Sequence, residues 1–337
     1  VQGIPRETGF DITAASEVMA VLCLADSDDD LRKRLDRILV GFTRDKEPVL
    51  AETVNASGAM VALLSDAMNP NLVQTLEGTP ALIHGGPFAN IAHGCSSVMA
   101  TRMAMHLSDW AITEAGFGFD LGAEKFFDIK CRSAGLDTAA VVLVATLRAL
   151  KMHGGVPLKE LERSDPDAVR RGLPNLEKHV ESIQQFGERP IVALNRFASD
   201  DAEEIGVVRD RCEALGVPFA VSDHHARGGA GAEELARTLI AHAEGGDDQP
   251  FTPLYPLDAP VEEKILTVAR KMYGARDVLY TREARRDLAD VERLGHAGLP
   301  VCIAKTPSSL SDDPKLRGRP SDFEVTVRGV QILSLIH

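Results

Sequence analysis

The 337 residues carry a net charge of −13 and are 44% hydrophobic but only 5% aromatic. Leu, Val, Ile and Ala must therefore fill the core, and the basic face that a nucleic-acid interface needs is missing. No apolar run approaches the ~18–20 residues of a membrane span.

Cys23, Cys95, Cys131, Cys212 and Cys302 are widely spaced and contain no Cys-x-x-Cys pair, which fits free thiols in a reducing cytoplasm better than disulfides or a zinc site. The acidic balance leaves room for anionic ligands, because a nest of backbone amides can hold phosphate in an acidic protein. Val1 is followed by turn chemistry through Gly9, with no signal pattern, and reads as the middle of a protein.

The pattern predicts a helix from Ser16 to Leu24 with Ser16 as its N-cap, and a charged surface helix from Asp28 to Leu39. Residues 49–64 are mixed. The run from Thr79 to Gly94 sets glycines, prolines, His84, Asn90 and His93 among apolar residues. Such a run follows a strand and offers bare backbone amides to a ligand. A second glycine-rich loop spans Thr113 to Phe127, entered by a predicted strand from Trp110 to Ala115. Together the two read as a built site; singly, each also reads as a tight connection.

Ala139–Thr146 is apolar without alternation, which predicts a strand buried on both faces in a helix-covered parallel sheet. Pro190–Phe197 repeats the pattern. A helix over Asp200–Leu215, a strand over Pro218–Ser222 and a helix over Ala232–Ala243 follow. This alternation predicts an α/β fold with a doubly wound, mainly parallel sheet. Ligands then bind beyond the strands' carboxyl ends, here Glu114–Gly118, Thr146–Arg148, Asn195–Phe197 and Asp223–Gly229.

The linker-like stretch Glu244–Pro256 divides a central domain, 1–245, from a smaller C-terminal α/β region, 246–337. That region reads as a helix (Val261–Met272), a strand (Val278–Tyr280), a helix (Arg282–Leu294), a strand (Pro300–Lys305), a polar loop and a last strand from Phe323.

No GxxxxGK[ST], HExxH, GxSxG or clustered Cys/His pattern is present. His84 and His93 are nine residues apart, a spacing that suits loop-carbonyl or substrate contacts better than a metal, and no metal ligand is expected. Of the adjacent His224 and His225, only one points into a cleft if the segment is extended. Asn195-Arg-Phe197 closes a buried strand. There Asn195 reads a nucleotide base or makes a turn, and Phe197 stacks on a flat heterocycle or joins the core.

These residues carry a resemblance. Phe10-Asp-Ile-Thr, Asn71-Leu-Val-Gln-Thr-Leu-Glu77, His84-Gly-Gly-Pro-Phe-Ala-Asn-Ile-Ala-His-Gly-Cys95, Thr113-Glu-Ala-Gly-Phe-Gly118, Leu121-Gly-Ala-Glu-Lys-Phe-Phe-Asp-Ile-Lys-Cys-Arg132, Ala149-Leu-Lys-Met-His-Gly-Gly155, Asn175-Leu-Glu-Lys-His179, Asn195-Arg-Phe197 and Ser311-Asp-Asp-Pro314 resemble formate–tetrahydrofolate ligase over nearly the whole chain.

The resemblance implies a P-loop-NTPase-like fold and an ATP-dependent ligase. Formate is phosphorylated to formyl phosphate, and the N10 amine of tetrahydrofolate then attacks it, giving 10-formyltetrahydrofolate. It also implies ATP with Mg, allows a monovalent cation, and points to a cytoplasmic homo-oligomer with no nucleic-acid or membrane partner. By the same resemblance Phe117 and Gly118 lie at the reacting centre, Phe197, Val221 and His225 form the folate pocket, and Asn195 lies on the adenine side.

The chain departs from the family pattern in places. His225 stands where the family usually has Trp, a smaller plate that could weaken stacking by roughly 1 kcal/mol. Ala198 replaces a usual Pro, and Pro307-Ser308 replaces a bulkier pair. The family's Walker A loop and the arginine that grips formyl phosphate belong upstream, and the C-terminal glycine-rich region is absent. The run Ile332–Ile336 diverges into an apolar tail. The expectation is thus a fragment lacking the P-loop, inactive or incomplete alone. The rival expectations are a non-catalytic folate- or nucleotide-binding remnant, an assembly-only module, or a site completed by another chain.

Overall fold

The computed structural model describes residues 16–89, 92–246 and 250–332. The Phe10 motif, Asn90 and the tail beyond residue 332 lie outside the described residues. The chain forms two compact units, one of residues 1–116 with 332–337 and one of residues 117–331.

In the first unit α1 (Glu17–Leu24) begins as expected: Met19 N donates to Ser16 Oγ at 3.2 Å. Helix α2 (Asp28–Asp36) is capped by Ser27 and places three Asp in its first turn, where the helix dipole favours negative charge. It stops short of the predicted Leu39 because Leu39 is claimed by a strand. Strand β1 (Leu39–Phe42) pairs antiparallel with β2 (Pro48–Leu50), Leu39 opposite Leu50.

Helix α3 (Ser57–Leu64) follows, and Val61 and Leu64 pack on a core of Val21, Leu22, Leu31, Leu35 and Met68. Strands β3 (Asn71–Gln74) and β4 (Pro80–Ile83) make an antiparallel hairpin, and Ser97 caps α4 (Val98–Leu107). The strand predicted over Trp110–Ala115 does not form. Only Ala115 pairs, in an isolated bridge to Cys95, and Ile112 is 85% exposed.

The second unit corrects the second glycine loop, which becomes helical at Phe119. Residues Phe119–Ala123 and Phe126–Cys131 are wound as π turns, closed by α5 (Arg132–Ala134) and a left-handed Gly135. Burial explains the change. Phe119 and Phe127 pack against Phe186, with Phe127 stacked on it at 4.8 Å between centroids. The π turns also bury charges: Asp128 accepts from Arg132 at 2.7 Å and from Leu254 N at 3.1 Å, and Arg132 reaches Tyr255 O at 2.8 Å.

Strands β5 (Val141–Ala145), β6 (Pro190–Asn195) and β7 (Phe219–Ser222) form a three-stranded parallel sheet in that order. Between β5 and β6 lie α6 (Leu147–His153) and α7 (Pro166–Gln184), and between β6 and β7 lies α8 (Ala202–Ala214). Strand β6 is buried along its length except for the half-buried Asn195. Strand β5, expected to be buried on both faces, leaves Val144 62% exposed, because it is an edge strand with β6 as its one neighbour among the described residues.

Helices α6 and α7 cross closely at glycines. A Cβ on Gly172 would sit 2.0 Å from Leu150 O, and one on Gly154 would sit 2.0 Å from Ala168 O. Buried Lys151 of α6 ties that pair to α8, lying 2.9 Å from buried Glu204.

After β7 come a short helix α9 (His224–Arg227) and α10 (Glu233–Glu244). Helix α11 (Val261–Val268) runs into a π turn at Ala269–Tyr273. Strand β8 (Asp277–Tyr280) pairs parallel with β9 (Glu324–Val327), with α12 (Arg282–Arg293) between them in sequence. Residues 300–305 are not a strand: Val301 N donates to the Tyr255 hydroxyl at 3.0 Å instead of joining a ladder.

Candidate functional site

A cavity of about 400 Å³ opens in the second unit at the carboxyl end of β5. Four stretches distant in sequence build it: 117–121, 143–153, 175–179 and 305–309. Asn175 Nδ2 donates to Gly318 O at 2.9 Å and Gly318 N donates to His153 Nδ1 at 3.0 Å, so side chains of α6 and α7 anchor the segment that carries Ser309.

Phe117 stands at φ +62° and is 61% exposed. A non-glycine residue held there stores about 1–3 kcal/mol of strain, which surrounding structure must offset. The Lys305 ammonium lies 5.0 Å from the Phe117 ring centroid, a cation–π contact that helps hold it. Gly118 is required for close approach: a Cβ there would sit 2.5 Å from Asp120 Oδ1.

Asp120 and His179 face each other across the cavity wall, with 3.9 Å between Oδ1 and Nδ1. Burial pushes the Asp120 carboxyl up to about 7, against the opposing pull of its own backbone N–H and the Lys305 and Lys125 cations. Burial pushes His179 down to about 4, helped by His153 and Lys178. His179 Nε2 is 3.2 Å from Ser309 Oγ, while Nδ1 is buried without a hydrogen-bond partner. His153 is likewise lowered, by burial and then by Arg317.

A second surface lies at the carboxyl ends of β6 and β7. Phe197 is half-buried, its N–H donating to Asp200 Oδ2 at 2.9 Å. The Arg148 guanidinium, from the first turn of α6, sits 4.2 Å from the Phe197 ring centroid. Asn195 is half-buried and pairs in register with Ser222, and Val221 is half-buried opposite Leu194. His224 and His225 are exposed and lie in the helical turn α9, so the extended alternation expected for them does not apply. His224 Nδ1 is 2.8 Å from Ser222 Oγ.

Of the residues expected at the site, Phe117 and Gly118 line the cavity, whereas Asn195, Phe197, Val221 and His225 do not. The sequence reading gave no role to Asp120, His179, Lys305 or Arg148. For Asp120 a signal was present: charges embedded in the apolar run from Phe117 to Cys131 are costly unless used or paired.

The first glycine loop belongs to the first unit. There Gly116 N donates to Gly94 O at 3.2 Å, and Gly94 stands at φ +64° with no room for a Cβ beside Ala89. His84 satisfies a loop carbonyl as expected, with Nε2 2.7 Å from Ala67 O and Nδ1 2.6 Å from Ser97 Oγ.

A family profile described as formate–tetrahydrofolate ligase matches residues 1–334. A relative of that name from Granulibacter bethesdensis is 52% identical over 330 residues, covering 98% of this chain and 58% of its own length. Another of the same name, from a Sphingobium species, is 54% identical over 328 residues, covering 97% of this chain and 59% of its own. The chain thus spans somewhat less than three-fifths of the length of these curated relatives.

Proposed function

Because the chain belongs to the formate–tetrahydrofolate ligase family, we propose that it serves the ATP-dependent ligation of formate to tetrahydrofolate, giving 10-formyltetrahydrofolate. Formate has no leaving group, so ATP first converts it to an acyl phosphate, and the N10 amine then displaces phosphate. Such a transfer needs cations and oriented donors around anionic oxygens in a site poor in water.

The observation that carries this reading is the convergence of Phe117 and Gly118, residues of the Ala-Leu-Lys-Met-His and Asn-Leu-Glu-Lys-His stretches, and Lys305 on one cavity. Phe117 and Gly118 would flank the reacting centre. Phe197, Val221 and His225 would hold the pterin, with Arg148 backing one face of Phe197. Asn195 would meet adenine, and Mg would enter with the phosphates of ATP. The same reading makes the parallel sheet part of a doubly wound, P-loop-NTPase-like core. The five free thiols fit an enzyme of a reducing cytoplasm.

Calorimetry with tetrahydrofolate, paired with a formate-dependent ADP-release assay, tests this. The expected outcome is saturable folate binding that Phe197→Ala weakens about fivefold, the stacking contribution of one aromatic face. No heat at millimolar folate with a folded protein would reject the folate half of the reading. ADP release without formate dependence would reject the chemistry.

A further inference from the structure

Three bases other than lysine line the cavity: Asp120, His153 and His179. Formyl transfer turns an amine N–H into an amide and so sheds a proton, which needs an acceptor within reach. Asp120 is the one carboxylate among the described lining residues. It occupies a π turn, a helical irregularity often found at functional sites. The bare Cα of Gly118 lets the loop approach its Oδ1 closely, where any Cβ would collide with it.

The groups facing Asp120 come from every side. Lys125 lies on its own stretch, His179 on α7, Lys305 on the loop after residue 300, and the buried Tyr273 hydroxyl on the π turn after α11. His179 is arranged to back it. If Nε2–H donates to Ser309, Nδ1 is left as a bare acceptor 3.9 Å from the Asp120 carboxyl. His153, by contrast, spends its Nδ1 on Gly318 N.

We propose that Asp120, backed by His179, is the proton acceptor of this cavity and takes the proton that the N10 amine of tetrahydrofolate loses as it is formylated. The proposal rests on the ligase reading above. In the step the N10 lone pair bonds to the formyl carbon and the carbon–oxygen bond to phosphate breaks. Inorganic phosphate leaves with that electron pair, and the N–H proton passes to an Asp120 oxygen. His179 Nδ1, 3.9 Å away, is the acceptor toward which the protonated carboxyl would close to hydrogen-bond distance, which makes it a positioning residue. Lys305, over Phe117, lies on the side where an anionic acyl phosphate would be steered. Arg148, four residues after the cavity-lining Val144, connects this wall to Phe197, so a folate stacked there can extend toward Asp120. An acceptor that titrates near the working pH is the efficient choice, and burial holds Asp120 at about 7.

Two measurements on the full chain test this. Carbon-13 NMR of Asp-labelled protein, with Asp120→Asn assigning the resonance, should show Asp120 titrating near neutrality. His179→Gln should move that midpoint while leaving the fold intact by circular dichroism. Calorimetry of tetrahydrofolate at pH 7 in two buffers of different ionisation heat should show release of about half a proton on binding, because an N10–H donor favours the carboxylate. Asp120→Asn should abolish that release and cost affinity less than about tenfold.

Titration of Asp120 near 4 with folate binding intact overturns the proposal and leaves the ligase reading standing. Proton release that persists in Asp120→Asn does the same. Failure of the wild-type chain to bind folate rejects the ligase reading itself, and this role with it.

Discussion

The two sides of the sheet's carboxyl edge are built on opposite principles. Beside β5, the cavity wall is dense with buried ionisable groups, and Asp120 and His179 are pushed in opposite directions by burial. Beside β6 and β7, the surface is open: Asn195, Phe197 and Val221 are half-buried and His225 is exposed. The first side has met the cost of desolvation during folding, so a ligand there finds polar groups already oriented. The second must gain its ordering from the ligand, through ring faces that carry little strain while empty. Chemistry fits the first and recognition the second.

The largest effect should come from breaking the support of the cavity side. Lys151 and Glu204 are both fully buried and 2.9 Å apart, and Lys151 also donates to Arg163 O at 3.0 Å. Lys151→Met removes the cation and strands a buried carboxylate, at a cost of about 3–5 kcal/mol. Urea denaturation should read this as a lower midpoint with an unchanged slope. A change under 1 kcal/mol would mean that the pair is solvated and that the wall is softer than described.

Gly172→Ala is next. Its Cβ would fall 2.0 Å from Leu150 O, so α6 and α7 must separate. Overpacking of this kind costs about 1–3 kcal/mol. Because both helices line the cavity, folate affinity should fall along with stability. If affinity fell while the denaturation midpoint held, the glycine would be serving the ligand directly.

How much of this was legible in the sequence follows from the same contrast. Strand β6, strand β7 and the Ser16 cap were readable, because apolar runs and capping residues act locally. The edge status of β5 was not: Val141–Ala145 is as apolar as a central strand, and only the partner on one side decides Val144's exposure. The helix at Phe119 was hidden by Gly116, Gly118 and Gly122, which read as loop, whereas the phenylalanines' packing on Phe186 decided the outcome. Phe117 and Gly118 came from motif likeness, but Asp120 and His179 are 59 residues apart, and only the fold places them 3.9 Å from each other.

A third prediction isolates the titration of one buried carboxyl outside the cavity. Glu188, just before β6, is also raised to about 7 by burial, although Thr138 donates to it at 2.7 Å. A carboxyl whose folded pKa is raised loses stability as pH climbs from its unfolded value, near 4.5, through the folded one, because the unfolded chain gives up its proton first. Asp120 contributes a loss of the same sign over nearly the same window. Glu188→Gln should therefore stabilise the protein above pH 7 by about 1–2 kcal/mol, and by nothing below pH 4. The pH dependence that remains is shared between Asp120 and the buried carboxyls Glu124 and Asp128, which burial also raises. A variant curve parallel to wild type at all pH values would place Glu188 in solvent.

The smallest effect sharpens the open side. His225 is exposed in α9 and does not line the cavity, so replacing it should leave the fold alone. If it is the second plate over the pterin, His225→Trp enlarges the stacking face by a ring. The gain should be about 0.5–1 kcal/mol, a two- to fivefold tighter folate complex, with an unchanged denaturation midpoint. An equal affinity for both proteins would remove His225 from the pocket. Phe197, with Arg148 on one face, would then be the single plate, and the open side would owe its selectivity to that one ring.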